Sequence, residues 1–148
     1  MDDAVDDAVE IADVEQIVRQ WPAANVALVA TTADGVVWAS GDLDRRFPLA
    51  SVTKPLVATA VLLAVEEGAL ALDQPAGPPG STIRHLLAHA SGLSPDSDAV
   101  LAAPGTRRIY SNRGIEVAAD CLAAATGISI ADYLTEGVTA PLGMHRTS

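Results

Sequence analysis

The stretch "FPLASVTKPL" holds the only lysine of the chain, Lys54, three residues after Ser51. Every other basic side chain apart from histidine is an arginine: Arg19, Arg45, Arg46, Arg84, Arg107, Arg108, Arg113 and Arg146. Arginine serves wherever charge alone matters, but its pKa above roughly 12 keeps it from giving up a proton. A lysine retained in such a sequence points to a need for an amine. Pro55 is best tolerated in the first turn of a helix, so a helix should begin close to Ser51. A spacing of three then puts hydroxyl and ammonium on one face, a turn apart. Ser51 would lie at the positive end of the helix dipole, where a developing oxyanion is favoured. Lys54, buried against an apolar helix, would have its charged form penalised by desolvation and become more available as a base. A serine beside an amine is a recognised nucleophile design. The plain alternative is a capping Ser51 and a solvated Lys54.

A second group of residues follows at "YSN", Tyr110 to Asn112. The phenol of Tyr110 can hold or pass a proton beside an ammonium, and the amide of Asn112 can hold a substrate amide or ester. The structural alternative is an ordinary turn in which Asn112 caps the next helix. His85 and His89 stand four apart, a spacing that can hold zinc, but Leu86 follows His85 and no third ligand is evident. Packing or capping roles suit both better. Cys121 lies in an alanine-rich segment and reads as a buried structural thiol.

The elements that must position these groups can be read from periodicity. Asp7 to about Trp21 predicts a helix, with Val9, Val14, Ile17 and Val18 on one stripe and Pro22 beyond its end. Two β runs, Asn25–Thr31 and Val36–Ser40, flank a turn at Asp34–Gly35. A helix apolar nearly all round runs from Ser51 to Glu67 and closes at Gly68. Ser81 or Thr82 caps a short helix over 83–90, closed at Gly92. Another helix spans Arg113 to Thr126, capped by Gly127, and one more starts from Ser129. A lone two-stranded hairpin is marginal in water and leaves its edges unpaired, so further strands are expected to complete the sheet.

Composition narrows the classes. The 148 residues suit one ordinary domain, and with aromatics at 3% the core must be built from Ala, Val and Leu. A formal net charge of -10 argues against an electrostatic grip on nucleic acid or on an anionic membrane. The apolar run Leu56–Val65 is too short to cross a bilayer. The start, "MDDAVDDAVE", lacks the basic and apolar regions of a secretory signal, which leads to the expectation of a cytoplasmic protein.

Taken in order, "ASVTK" (50–54), "HLLAHASGL" (85–93), "APG" (103–105), "IYSN" (109–112) and "PLGM" (141–144) resemble the serine β-lactamase-like proteins. These are the class C β-lactamases, D-alanyl-D-alanine carboxypeptidases and related esterases. The resemblance spans about residues 23 to 148. It implies an α/β (α+β) fold, an antiparallel sheet flanked by helices beside a mostly helical region. Residues 1–148 would be the N-terminal portion of one such domain, its C-terminal strands missing from this chain. It further implies acyl transfer with Ser51 as the nucleophile, Lys54 as its base, Tyr110 as a second proton-transfer group and Asn112 as the substrate-binding amide. The Ser51 N–H would form half of an oxyanion hole. The family's Lys/His-x-Gly strand, which bears the other half, is not found in this sequence. Neither cofactor nor metal is implied. The expected partners are a small-molecule ester, amide or peptide substrate and a C-terminal segment carrying the remaining strands. A missing export signal tilts the expectation toward an esterase or amidase. The rival reading is a non-catalytic fragment or binding module that keeps the scaffold.

Overall fold

The computed structural model describes residues 11–147. The chain forms two compact units, divided between Phe47 and Pro48.

The first unit holds helix α1, Ile11–Val18, and a hairpin of β1, Ala27–Thr32, and β2, Gly35–Gly41. The helix ends about one turn before the expected Trp21, and the chain leaves it through turns closed by the N–H groups of Gln20 and Trp21. Asp7 and Val9, which the sequence places in this helix, lie outside the described residues. The strands pair antiparallel from Ala27 opposite Gly41 to Thr32 opposite Gly35. The turn is therefore centred on Ala33 and Asp34, one residue earlier than the Asp-Gly pair suggests. Thr32 explains the shift: its Oγ1 accepts from the Asp34 N–H at 3.3 Å and closes the turn from the strand end. Past the turn, Ala30 faces Trp38 while Thr31 faces Val36, so Val37 is the extra residue of a bulge. Among the described residues the sheet has these two strands alone.

The second unit is helical. A 3-10 turn, Ala50–Val52, leads into α2, Thr53–Glu66, followed by α3, Ile83–Leu87, α4, Asn112–Thr126, and α5, Ile130–Leu134. The sequence makes α2 apolar nearly all round. In the structure it buries one stripe, Val57, Ala60, Val61 and Ala64, and leaves Leu62 half exposed. That stripe meets Ile115, Ala118 and Leu122 of α4, with Ile83 and Leu86 of α3 in the same core. Alanines at 60, 64 and 118, all fully buried, let the backbones approach closely, which suits a core with few aromatics.

The ends of these helices follow local chemistry. Past α2, Gly68 takes φ 78°, and the N–H groups of Gly68 and Ala69 turn back onto the carbonyls of Val65 and Ala64. This is the paired closure that a left-handed residue after a helix permits. Thr82 caps α3 by accepting from the His85 N–H. The helix stops at Leu87 instead of running to residue 90, because the chain turns left-handed at His89, φ 56°. Ser111 caps α4, so Asn112 is its first residue and does not cap it.

Ser129 caps α5 as the sequence predicts, but the helix then widens into a π turn over Thr135–Thr139. Gly137 lies in that turn, where an added Cβ would come within 3.0 Å of Leu63 Cδ2 on α2. The widened turn and the missing side chain together let this segment close on α2. No single helix among the described residues is long and apolar enough to cross a membrane.

Leu122 is fully buried in the seam of α2 and α4. Leu122→Ala should lower the unfolding free energy by about 2–5 kcal/mol, read from urea unfolding. A change below about 1 kcal/mol would mean that this seam is not the core of the unit.

Candidate active site

Ser51 is placed by the short 3-10 turn that precedes α2. The residue before it, Ala50, has φ 46°, in the left-handed region that a side chain with a Cβ rarely occupies. Such strain is kept where the surroundings fix it, and here it turns the chain sharply just before the serine. One turn on, Lys54 Nζ donates to Ser51 Oγ at 3.1 Å. The sequence predicts this pair from spacing alone. Lys54 is half-buried, less enclosed than the apolar run suggests.

Tyr110 arrives from 59 residues away, and its hydroxyl donates to the same Ser51 Oγ at 2.7 Å. Lys54 Nζ also lies 4.8 Å from the centre of the Tyr110 ring. Ser51 is thus an exposed hydroxyl receiving two donors, each able to exchange a proton. The Lys54 ammonium beside the phenol holds the Tyr110 pKa below its ordinary value near 10, and the bond to Ser51 adds to this. Partial desolvation and the charge of Asp96 act the other way.

Asn112 does not join the trio on Ser51. Its amide nitrogen donates to Asp96, while its N–H and that of Arg113 both reach the carbonyl of Pro95. Arg113 in turn pairs with Asp98 at 2.6 Å. The loop "SPDSDAV" therefore straps the start of α4 and orients Asn112, a role with no signal in its turn-rich composition. Asn112 does line a cavity of about 520 Å³ together with Ser51, Lys54, Val57, Ile115 and Leu134. The walls of this cavity are mostly aliphatic, with Glu116 among the lining residues.

The two histidines do separate structural work. His85 Nδ1 lies 3.1 Å from Thr82 Oγ1 at the start of α3. His89 is buried, accepts at Nδ1 from the Ser111 N–H at 3.2 Å, and rests its ring 4.7 Å from that of Tyr110. The sequence points to a packing role for His89 but not to its place behind Tyr110. Cys121 is half-buried, not buried, and desolvation pushes its thiol pKa up.

Residues 14–148 match the family model described as Beta-lactamase. The chain belongs to the beta-lactamase family. It is 31% identical to penicillin-binding protein 4* of Bacillus subtilis, over 68% of this chain and 30% of that protein. It is 48% identical to esterase EstB of Burkholderia gladioli over a shorter stretch, 34% of this chain and 16% of that one. The crystal structure of a beta-lactamase from Mycobacterium bovis superposes with TM-score 0.85 at 53% identity, covering 88% of this chain and 48% of the other. The chain thus spans less than a third of the curated relatives and about half of this solved structure. The fold is that of the β-lactamases and penicillin-binding proteins.

The chain has two tyrosines, Tyr110 and Tyr133, and they should titrate apart. Tyr133, buried and bonded to Glu67 at 2.6 Å, is pushed up to about 12. Phenolate absorbance should therefore show a first step below pH 10 from Tyr110. Lys54→Met removes the ammonium and should move that step upward. A step unchanged by the substitution would mean that Lys54 does not act on Tyr110.

Proposed function

We propose that this chain carries the nucleophile half of a serine hydrolase that works through an acyl-enzyme. The observation that supports the reading is the double donation to one oxygen, Lys54 Nζ and Tyr110 OH both on Ser51 Oγ. A serine that merely capped a helix would have no use for two proton carriers drawn from places so distant in sequence.

In this reading Ser51 Oγ attacks an ester or amide carbonyl, and its proton passes to the Lys54–Tyr110 pair. An ammonium beside a phenol loses one proton as a pair, so amine–phenol and ammonium–phenolate are two forms of one base. The lowered pKa of Tyr110 is what such sharing requires. The pair returns the proton to the leaving group as the carbonyl–leaving-group bond breaks, and the acyl group stays on Ser51. Water then attacks the acyl-enzyme by the same path, with the pair again as base, and the acid leaves. The Ser51 N–H, beside the strained Ala50, serves as one oxyanion donor. The second donor is assigned to a strand on a further, C-terminal segment, and Asn112 holds the amide or ester group next to the cavity.

The cavity walls suggest the acyl group. Val57, Ile115, Ala119, Ile130 and Leu134 present an aliphatic surface beside Ser51, and Lys54 is the cation among the lining residues. A substrate bearing a free carboxylate would compete for that cation with the proton transfer itself. The net charge of -10 also disfavours anionic substrates. An uncharged ester with a short aliphatic acyl chain fits best, which places esterase activity ahead of the carboxypeptidase and β-lactamase alternatives.

The test is hydrolysis of p-nitrophenyl esters of increasing acyl length by the chain joined to, or mixed with, a segment that supplies the remaining strands. The chain by itself should turn over little, since one missing oxyanion donor costs on the order of a hundredfold or more. Lys54→Arg keeps the charge but not the exchangeable proton and should abolish acylation. Tyr110→Phe should slow it by roughly a hundredfold. Near-normal turnover by Lys54→Arg would remove Lys54 from the base.

A further inference from the structure

The proton-carrying phenol sits on an exposed loop, so something has to hold it against Ser51. Tyr110 is 48% exposed and belongs to neither a helix nor a strand. The residues on either side of it are both bonded to one residue. The Ile109 N–H donates to the backbone carbonyl of His89 at 2.7 Å, and the Ser111 N–H donates to His89 Nδ1 at 3.2 Å. Between those two bonds the imidazole lies against the phenol ring, with centroids 4.7 Å apart and planes tilted by 38°. His89 is buried and has φ 56°, a backbone state that a residue with a Cβ rarely adopts.

We propose that His89 is the positioning residue for Tyr110, a clamp that holds the phenol on Ser51 only while its imidazole is neutral. The inference rests on the acyl-transfer reading above for its effect on catalysis, but not for its geometry.

The requirement for neutrality follows from elementary bonding. A backbone N–H can only donate, so His89 Nδ1 must accept, and the proton of the neutral ring is on Nε2. A second proton would land on Nδ1 and set two N–H groups against each other at Ser111. The clamp would then open on the side of Tyr110 that leads into α4. The Tyr110 phenol lies against the ring, and the charges that act on it are those of Arg108 from the same loop and Lys54 from α2. Burial first, and then the positive charges of Arg108 and Lys54, hold the His89 pKa below its ordinary value. The clamp is therefore kept closed through neutral pH and opens only on the acid side. The unfolded chain binds this proton near pH 6.5, before the folded one does, so the contribution of His89 to stability is full above about 6.5 and is lost as pH falls through the lowered folded value.

The experiment follows, as a function of pH, the rate at which a small fluorophosphonate labels Ser51 in the chain joined to a segment that supplies the remaining strands. Loss of one proton from the Lys54–Tyr110 pair makes the logarithm of the rate rise with slope one on the acid side. Below the His89 pKa a second proton opens the clamp, and the slope should steepen to two. His89→Asn offers an oxygen in place of Nδ1, tolerates the left-handed backbone and does not titrate. It should keep the slope at one throughout and label at neutral pH within about threefold of the unsubstituted chain. His89→Gly keeps the backbone state but loses acceptor and ring. It should label at least tenfold more slowly, and the phenolate step of Tyr110 should move up toward 10 as the phenol leaves Lys54 and Ser51. A slope of one for the unsubstituted chain, or of two for His89→Asn, would overturn the proposal. Should Ser51 fail to label at all, the acyl-transfer reading falls, but the Tyr110 titration still decides the clamp. A shift in His89→Gly supports it, and an unchanged step overturns it.

Discussion

One oxygen atom organises the second unit of this chain. Ser51 Oγ accepts from Lys54 at 3.1 Å and from Tyr110 at 2.7 Å, and those donors come from different parts of the sequence. The lysine needs only helical spacing to arrive, because three residues along α2 bring it onto the face of the serine. The tyrosine needs tertiary structure. Its loop must be anchored at residue 109, at residue 111 and at the start of α4: the first two anchors bond to buried His89, and the third to the carbonyl of exposed Pro95. Hydrogen bonds of this kind stabilise by about 1 kcal/mol each when made and cost more when one partner is left buried alone. The anchoring is thus secured more by what its loss would expose than by what it gains.

The anchors converge on Ser111. Its hydroxyl caps α4 by accepting from the Gly114 N–H at 2.9 Å and donates to the Ser94 carbonyl at 2.6 Å, while its N–H meets His89. A residue between the two of a phenol and carboxamide pair is easily dismissed as a spacer. Here it is buried and satisfied in three directions, and it ties the loop that carries Tyr110 to the helix behind it. The packing of α2 on α4 through alanines then fixes the distance between the serine and that helix. The chemistry and the core are joined through this seam.

Local information made much of this legible. The helix starts and stops at Gly68, Thr82, Gly127 and Ser129 follow from backbone freedom and capping, which depend on a few neighbouring residues. The Ser51–Lys54 contact follows from helical period. What escaped were features set by distant partners. One exception is local: the hairpin turn is centred a residue earlier because Thr32 closes it two residues from Asp34. The α3 helix ended early because His89 is bent to reach the loop after it. The π turn at Thr135–Thr139 exists where Gly137 meets Leu63 of α2. The amide of Asn112 is turned to Asp96, a contact for which the composition of the Asp96 loop carries no signal. Sequence could suggest that Tyr110 and Ser51 belong together only through the motif pattern, since no periodicity links residues 59 apart.

The account stands on Ser51 being the atom that is acylated. Its most direct test is peptide mapping by mass spectrometry after reaction of the protein with a fluorophosphonate, beside a Ser51→Ala control. Attack by Ser51 Oγ expels fluoride and leaves the phosphonyl group on the serine, so a single adduct is expected on the peptide containing Ser51 and none in the control. An adduct that persists in Ser51→Ala, or that maps to another peptide in the unsubstituted protein, would contradict the account.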